Sequence, residues 1–214
     1  MVNFNFQIII KNKKYSLTNN LVLNFYYFTM KLRILPLLLF TITFCKAQIS
    51  EKVKMLAKPL DTIQYAESSH IGIGGERSKL YDDFRKLAKI ATNNELFYLA
   101  KNGSNSLRLY SGKELFKRND KRFLEIYQYY HDNPLFMKYI DGCMGKEDNI
   151  ANHLMDEMYA AKEIISIRDS ISKEKTDNFT KAQLKTINNE GYETLKIKNV
   201  EYFLNKIKNI DSGK

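Results

Sequence analysis

Apolar residues recur at helical spacing between positions 80 and 91 of the chain. They stand at i, i+4, i+7, i+8 and i+11, and the charged residues fall largely between them, which is the spacing of one helix face. The apolar set consists of Leu80, Phe84, Leu87, Ala88 and Ala91. A helix with one apolar face is stable only when that face is buried. The pattern therefore predicts an amphipathic helix that packs against its neighbours.

Further helix starts follow at short intervals. Thr92 and Glu95 have the spacing of a capping box, in which each side chain accepts a hydrogen bond from the backbone amide of the other. Ser104 and Asp120 are candidate caps for the next two helices. Asn133-Pro134 predicts one more start, because proline is favourable in the first turn of a helix.

The rest of the chain is assigned in the same way. Glycines and serines between Glu67 and Ser78 predict a loop, and the helical pattern is broken between Gly142 and Asn149. It resumes from Ile150 to Ile167, and a last helix is expected from about Val200. Short helices joined by short turns pack as antiparallel neighbours. The sequence therefore predicts an all-α fold built from short antiparallel helical hairpins.

The segment from Phe84 to Ser111 resembles the helical hairpin of HEAT-like repeat proteins, as found in secreted proteins of the Bacteroidetes type. The resemblance lies in the run from Phe84 to Leu96, in Leu99, and in the run from Ala100 to Ser111. A second hairpin is plausible from Asp120 to Tyr139. The resemblance implies either a compact HEAT-like bundle or a short solenoid, since stacked repeats need neighbours to bury their faces.

A leader-like segment precedes these helices. Met30, two basic residues, an apolar run and a small residue before Gln48 are typical of a secretory signal peptide. Such a leader would direct the chain to the periplasm or the extracellular space and would be removed by cleavage after Ala47. Residues 1–29 are then expected to come from a gene model that starts too early, with Met30 as the true start. The alternative is an unusually long leader that begins at Met1. Lipidation of Cys45 is a minor alternative, because bulky Phe44 stands where a small residue is usual.

Removal of the leader changes the charge and the cysteine count. The chain carries 34 basic and 24 acidic residues, for a net charge of +10. Residues 1–47 hold six of the basic residues and no acidic one, so the mature chain has a net charge of only +4. That surplus does not favour nucleic-acid binding. Only Cys143 would remain, which excludes an internal disulfide and leaves a disulfide-linked dimer as a possibility.

The expected organisation is therefore a signal peptide at 30–47, a linker with a short helix at 48–78, and a helical HEAT-like domain at 79–210. The apolar run of the leader is shorter than the roughly 20 residues that cross a bilayer, and no transmembrane helix is expected in the mature chain.

Candidate catalytic residues are few. The histidines are His70, His131 and His153, and none has the His-x-x-x-His spacing that places two metal ligands on one helix face. His153 shares a predicted helix face with Asp156 and Glu157, which we interpret as a solvated polar face rather than a metal site. Cys143 has no local basic partner except Lys146 and is expected to be a buried or half-buried structural cysteine.

Three other patterns have structural interpretations. Gly72-Ile73-Gly74-Gly75 lacks the preceding strand and the following lysine of a phosphate-binding loop. The aromatic residues Phe123, Tyr127 and Tyr130 have helical spacing and are expected in the core. A basic cluster is diluted by nearby acids and is interpreted as a solvated face; it comprises Arg108, Lys113, Lys117, Arg118, Lys121 and Arg122.

These observations predict an exported helical protein that binds another protein, with no catalytic, cofactor-binding or metal-binding residues. The alternative is an envelope hydrolase that uses His131 or His153 with nearby carboxylates. Convergence of several carboxylates or histidines in one pocket would favour the hydrolase, and an apolar groove along stacked helices would favour protein binding.

Overall fold

The computed structural model describes residues 49–173 and 177–213, and residues 49–214 form one compact unit. The signal peptide, the N-terminal extension and Cys45 lie outside the described residues. The fold is mixed α/β, because a four-stranded sheet accompanies the helices. The prediction of an all-α fold is therefore wrong.

The helices account for most of the described residues. In order they are α1 (Glu51–Ala57), α2 (Lys79–Ala88), α3 (Asn93–Asn102), α4 (Asn105–Lys117), α5 (Phe123–Asp132), α6 (Ile150–Ile171), α7 (Asn178–Ile187) and α8 (Ile197–Asp211). A 3-10 turn, Lys58–Leu60, follows α1, and a π-helical turn, Asn188–Tyr192, follows α7. Within the described residues, no helix is long and apolar enough to cross a membrane.

The strands are β1 (Tyr65–Ile71), β2 (Glu76–Arg77), β3 (Phe136–Gly142) and β4 (Met144–Asn149), in the sheet order β2-β1-β3-β4. The two hairpins β1–β2 and β3–β4 are antiparallel, and β1 pairs with β3 in parallel. Helices α2 to α5 form the crossover between the parallel pair, as parallel strands require a long connection.

Both hairpins occupy segments that the sequence predictions assigned to other structure. The predicted loop from Glu67 to Ser78 contains most of β1 and all of β2, and the helix predicted from Asn133-Pro134 is strand β3. Strand β1 carries polar residues on both faces, so it lacks the apolar alternation that identifies a strand. Its backbone hydrogen-bonding groups are satisfied mainly by β3, about seventy residues later in the chain. A local pattern cannot reveal such a pairing.

Two of the four helix starts predicted between Thr92 and Pro134 are confirmed. The capping box of Thr92 and Glu95 is present, and Ser104 caps α4. Glu95 also accepts hydrogen bonds from the amide and the hydroxyl of Ser50, at 2.9 and 2.6 Å, which attach the start of α1 to α3. Asp120 does not cap α5 directly, since that helix begins at Phe123 without a side-chain cap.

Helix α4 lies at the centre of the fold, in contact with helices on several sides and with β1. All but its first and fourth residues, Asn105 and Arg108, are buried. Phe116 of α4 packs with Phe123 of α5 and Phe203 of α8 in an aromatic cluster. The expected core positions Phe123, Tyr127 and Tyr130 are confirmed. A helix buried on nearly all sides must bury its charged residues as well.

Gly112 permits the close approach of α4 and α6. A Cβ atom at this position would lie 2.9 Å from Leu154 Cδ2 and 3.6 Å from Ile126 Cγ2. Leu154 and Ile126 are both fully buried, so neither side chain has free space to move into. Glycine here lowers helix propensity but removes a steric conflict between two central helices.

We predict that Gly112→Val lowers the free energy of unfolding by about 2 kcal/mol, because the larger side chain overpacks the α4–α6 contact. Chemical denaturation followed by circular dichroism measures the change. In the background of Leu154→Ala, which removes the conflicting atoms, the same substitution should cost clearly less. Equal losses in both backgrounds would contradict the proposed steric role of Gly112.

Candidate functional site

A cavity of about 320 Å³ lies beside the sheet, between α2, α4, α6 and the π-helical turn. Its wall combines tyrosine rings with charged groups of both signs. The lining residues are Ser68, Ser69, Tyr81, Phe84, Arg85, Tyr110, Lys113, Glu114, Lys117, Tyr139, Asp141, Asp156, Glu157, Ala160, Ile164, Glu190 and Tyr192. The volume falls at the lower end of the range usual for small-ligand pockets, about 300–1,000 Å³.

Helix α4 supplies the floor of the cavity. Tyr110, Lys113, Glu114 and Lys117 stand at i, i+3, i+4 and i+7 and share one face of the helix. Apolar residues on the other faces anchor α4 in the core, so this polar face is held rigidly. Three of the four side chains carry a charge, and their partners come from other elements or from the end of α4.

Two lysines of α4 share one carboxylate of α6. Lys113 Nζ lies 3.0 Å from Glu157 Oε2, and Lys117 Nζ lies 3.0 Å from Glu157 Oε1. The side chains of Lys113, Lys117 and Glu157 are only 9%, 8% and 11% exposed. The hydroxyl of Tyr192 also donates to Glu157. Two buried positive charges therefore face one buried negative charge.

A second carboxylate, that of Glu114 on α4, is also shared by two cations. Arg85 Nη1 of α2 donates to Glu114 Oε2 at 2.5 Å, and Arg118 Nε donates to Glu114 Oε1 at 2.9 Å. Arg118 also donates to the carbonyl oxygens of Ala88 and Ala91. Here too, two cations surround one carboxylate. The two clusters, Lys113–Glu157–Lys117 and Arg85–Glu114–Arg118, each carry a surplus of one positive charge.

The tyrosines position the cations and the sheet. Lys113 Nζ lies 3.9 Å from the centre of the Tyr139 ring, and Lys117 Nζ lies 4.4 Å from that of Tyr192, both within cation–π range. The hydroxyl of Tyr110 donates to the carbonyl of Glu67 at 2.7 Å and accepts from its amide at 2.8 Å. These two hydrogen bonds attach β1 to α4 beside the cavity.

The surroundings hold these groups in fixed protonation states. Burial alone would raise the pKa of Glu157, but the charges of Lys117 and Lys113 outweigh it and hold that pKa well below its ordinary value. Burial opposes the charge of Lys113, but Glu157 outweighs it and raises the pKa of Lys113. Burial also raises the pKa of each lining tyrosine, Tyr81, Tyr110, Tyr139 and Tyr192.

The mouth of the cavity is acidic. Asp141 and Asp156 are exposed there, and Asp156 pairs at 3.3 Å with exposed Lys146. Glu190 accepts a hydrogen bond from the Tyr81 hydroxyl and lies 3.7 Å from Arg77. The exposed part of the wall thus carries carboxylates, whereas the floor combines the cations Arg85, Lys113 and Lys117 with Glu114 and Glu157.

Neither histidine named for the hydrolase alternative lines this cavity. His131 is partly exposed on α5, beside Asp132 at 2.9 Å and Asp211 at 3.7 Å. His153 is buried against Met137, and its Nε2 lies 3.1 Å from the Met137 carbonyl oxygen. The prediction that these residues form a solvated face of α6 is therefore wrong for His153 and Glu157 and correct for Asp156.

The other sequence candidates lie elsewhere. Cys143 is exposed at the turn between β3 and β4, which corrects its expected burial. The glycine motif from Gly72 to Gly75 forms the β1–β2 turn, in agreement with its structural interpretation, but the expectation that no strand precedes it is wrong, because β1 ends at Ile71. His70 is exposed and hydrogen-bonds to Ser69. Within the part of the chain that the structure describes, no group of three possible ligands is placed to hold a metal ion.

The charged floor was not predicted from the sequence, because Lys113 and Lys117 were assigned to a solvated basic face. Lys113 and Lys117 are instead buried. The sequence did contain one usable signal. Leu107, Leu109, Leu115 and Phe116 surround α4 with apolar side chains, and an apolar residue on almost every face indicates a buried helix.

Comparisons with protein-family models, with curated proteins and with solved structures find no match to this chain.

We predict that Glu157→Gln lowers the free energy of unfolding by about 3–5 kcal/mol, because it leaves Lys113 and Lys117 buried without their counter-charge. Urea denaturation at neutral pH measures the loss. The matched control is Glu163→Gln on the exposed face of the same helix, which should change stability by no more than about 0.5 kcal/mol. Similar small effects of both substitutions would show that the shared carboxylate does not stabilise the fold.

Proposed function

We propose that this chain is an exported binding protein that acts without a catalytic step, and that its partner is another protein, part of which enters the cavity at the floor formed by α4. The observation that carries the proposal is the preformed cavity whose floor holds buried, paired charges. Such a site offers a partner directional contacts without rearrangement of the binding protein.

The protonation states favour binding over acid–base chemistry. A general base or acid works best with a pKa near the working pH. The shifts at Glu157, Lys113 and the lining tyrosines all move away from neutrality. A lysine nucleophile would likewise need a lowered pKa, whereas that of Lys113 is raised. These groups are suited to hold charge in place rather than to transfer a proton.

The convergence of carboxylates in one pocket is the observation that would favour the hydrolase alternative. Glu114 and Glu157, however, are each held between two cations, and His131 and His153 lie outside the cavity. A hydrolase would need a group in the cavity that exchanges a proton near neutral pH, and the lowered pKa of Glu157 does not suit that role. The alternative is therefore the weaker proposal.

The cavity is open toward solvent along α6, where Ala160 is exposed on its wall. A larger side chain at this position would occupy the space without disturbing the buried charges. Ser166 is exposed on the same helix and does not line the cavity. The two positions provide a blocking variant and a matched control.

We predict that Ala160→Phe abolishes partner capture, because the ring fills the cavity. The purified protein is used as bait on envelope fractions, and bound proteins are quantified by mass spectrometry. The unmodified protein and Ser166→Phe should enrich the same partner to the same extent. Equal enrichment by Ala160→Phe, or the lack of any enriched partner, would contradict the proposed binding at the cavity.

Export is a separate part of the proposal. It is supported by the leader pattern at residues 30–47, and it stays a prediction. The resemblance to HEAT-like hairpins and the disulfide-linked dimer through Cys143 also stay predictions, although the exposure of Cys143 permits the second.

A further inference from the structure

We infer that the group bound in the cavity is a carboxylate, presented by the C-terminus of a partner chain, with Lys113, Lys117 and Arg85 as its counter-charges. The inference rests on the proposed binding function and adds the chemical class of the ligand. Its support comes from the charge balance of the floor, the unused hydrogen-bond donors, the acidic mouth and the size of the cavity.

The floor carries more positive than negative charge. Arg85, Lys113 and Lys117 line the floor with three positive charges, against two negative charges on Glu114 and Glu157. Burying an uncompensated charge is costly unless a counter-charge enters the same region. An incoming anion would therefore be attracted to the floor by a surplus that the described residues leave in place.

Hydrogen-bond donors are also left over. An ammonium group has three N–H donors. Lys117 directs two of them at Glu157 Oε1 and at the Glu190 carbonyl, both at 3.0 Å. Lys113 contacts Glu157 and Tyr139. The buried Nε of Arg85 has no hydrogen-bond partner among the described residues. A carboxylate has two oxygens that can accept several such bonds.

The acidic mouth selects among anions. Asp141, Asp156 and Glu190 also line the cavity and repel a group that carries two negative charges. A monovalent carboxylate suffers less repulsion than a phosphate dianion. The same carboxylates would attract a basic side chain near the end of the partner chain. The charge pattern thus favours a terminal carboxylate preceded by neutral or basic residues.

The volume and the apolar part of the wall fit a chain end. A cavity of about 320 Å³ is too small for a folded surface and suits one or two residues. Phe84, Ala160 and Ile164 provide apolar contacts beside the charged floor. A terminal residue could place its carboxylate against the lysines and its side chain against this apolar wall.

The test uses two libraries of N-acetylated tripeptides, one with free C-terminal carboxylates and one with C-terminal amides. Equilibrium dialysis against the purified protein, followed by mass spectrometry, measures the retained peptides. We expect the free-acid peptides to be retained about tenfold or more above their amides, because charge-assisted hydrogen bonds are lost on amidation. Peptides with lysine or arginine before the terminal residue should be retained above those with aspartate or glutamate.

Two variants assign the effect to the floor. Lys113→Met removes one cation and leaves Lys117 and Glu157 as a balanced pair, so the preference for free acids should fall several-fold. Lys162→Met, on the exposed side of α6, should leave it unchanged. Free N-acetylated amino acids serve as a third arm: retention equal to that of the peptides supports carboxylate binding but assigns it to a small acid rather than to a chain end.

Retention of acids and amides to the same extent would overturn the carboxylate inference. If Ala160→Phe then lost the retention of both libraries, binding at the cavity would still be supported, although the ligand would not be a carboxylate. Retention of neither library would also overturn the inference. Partner capture that is abolished by Ala160→Phe would then still support the proposed function, so the two failures are distinguishable.

Discussion

The carboxylate of Glu157 lies between the ammonium groups of Lys113 and Lys117, and all three side chains are largely buried. This shared ion pair joins α4 to α6, and the Tyr192 hydroxyl extends it to the π-helical turn. Removing the charge of Glu157 leaves both ammonium groups buried without a counter-charge. The position of the cavity floor, and hence any binding role, depends on this contact.

Buried charges are a costly way to join two helices, because apolar residues of similar size often give equal or greater stability. The contact between α4 and α6 already has an apolar part, where Gly112 packs against Leu154. The charged residues beside this contact, Lys113 on α4 and Glu157 one turn along α6, are therefore not needed to bring the helices together. Their retention in a solvent-connected cavity is the physical reason to connect them with ligand binding.

Local sequence patterns predicted the helices better than the sheet. The capping box at Thr92 and the apolar stripe from Leu80 depend on residues within one or two turns, and both are present in the structure. Strand β1 depends on β3, and the intervening helices separate the two in sequence. The polar residues Ser68 and Ser69 gave β1 the appearance of a loop. Propensity was overruled there by long-range pairing.

The candidate site was not predictable for a related reason. Lys113, Glu114 and Lys117 have the composition of an exposed helix face, and only the packing of α2, α6 and the π-helical turn around α4 buries them. Glu157 is separated from these lysines by forty residues or more. Charges that satisfy each other across such distances are visible only once the fold brings them together.

The central claim is that Glu157 remains ionised between two buried ammonium groups. Its folded-state pKa is lowered from the ordinary value of 4.5, so its contribution to stability is present above that pH and is lost as the pH falls through the folded-state pKa. Carbon-13 NMR of the labelled glutamate side chains, with Glu157 assigned by Glu157→Gln, measures the titration directly. The account predicts that the Glu157 signal keeps its ionised shift well below pH 4.5 for as long as the protein stays folded. A titration at or above the ordinary value would contradict it.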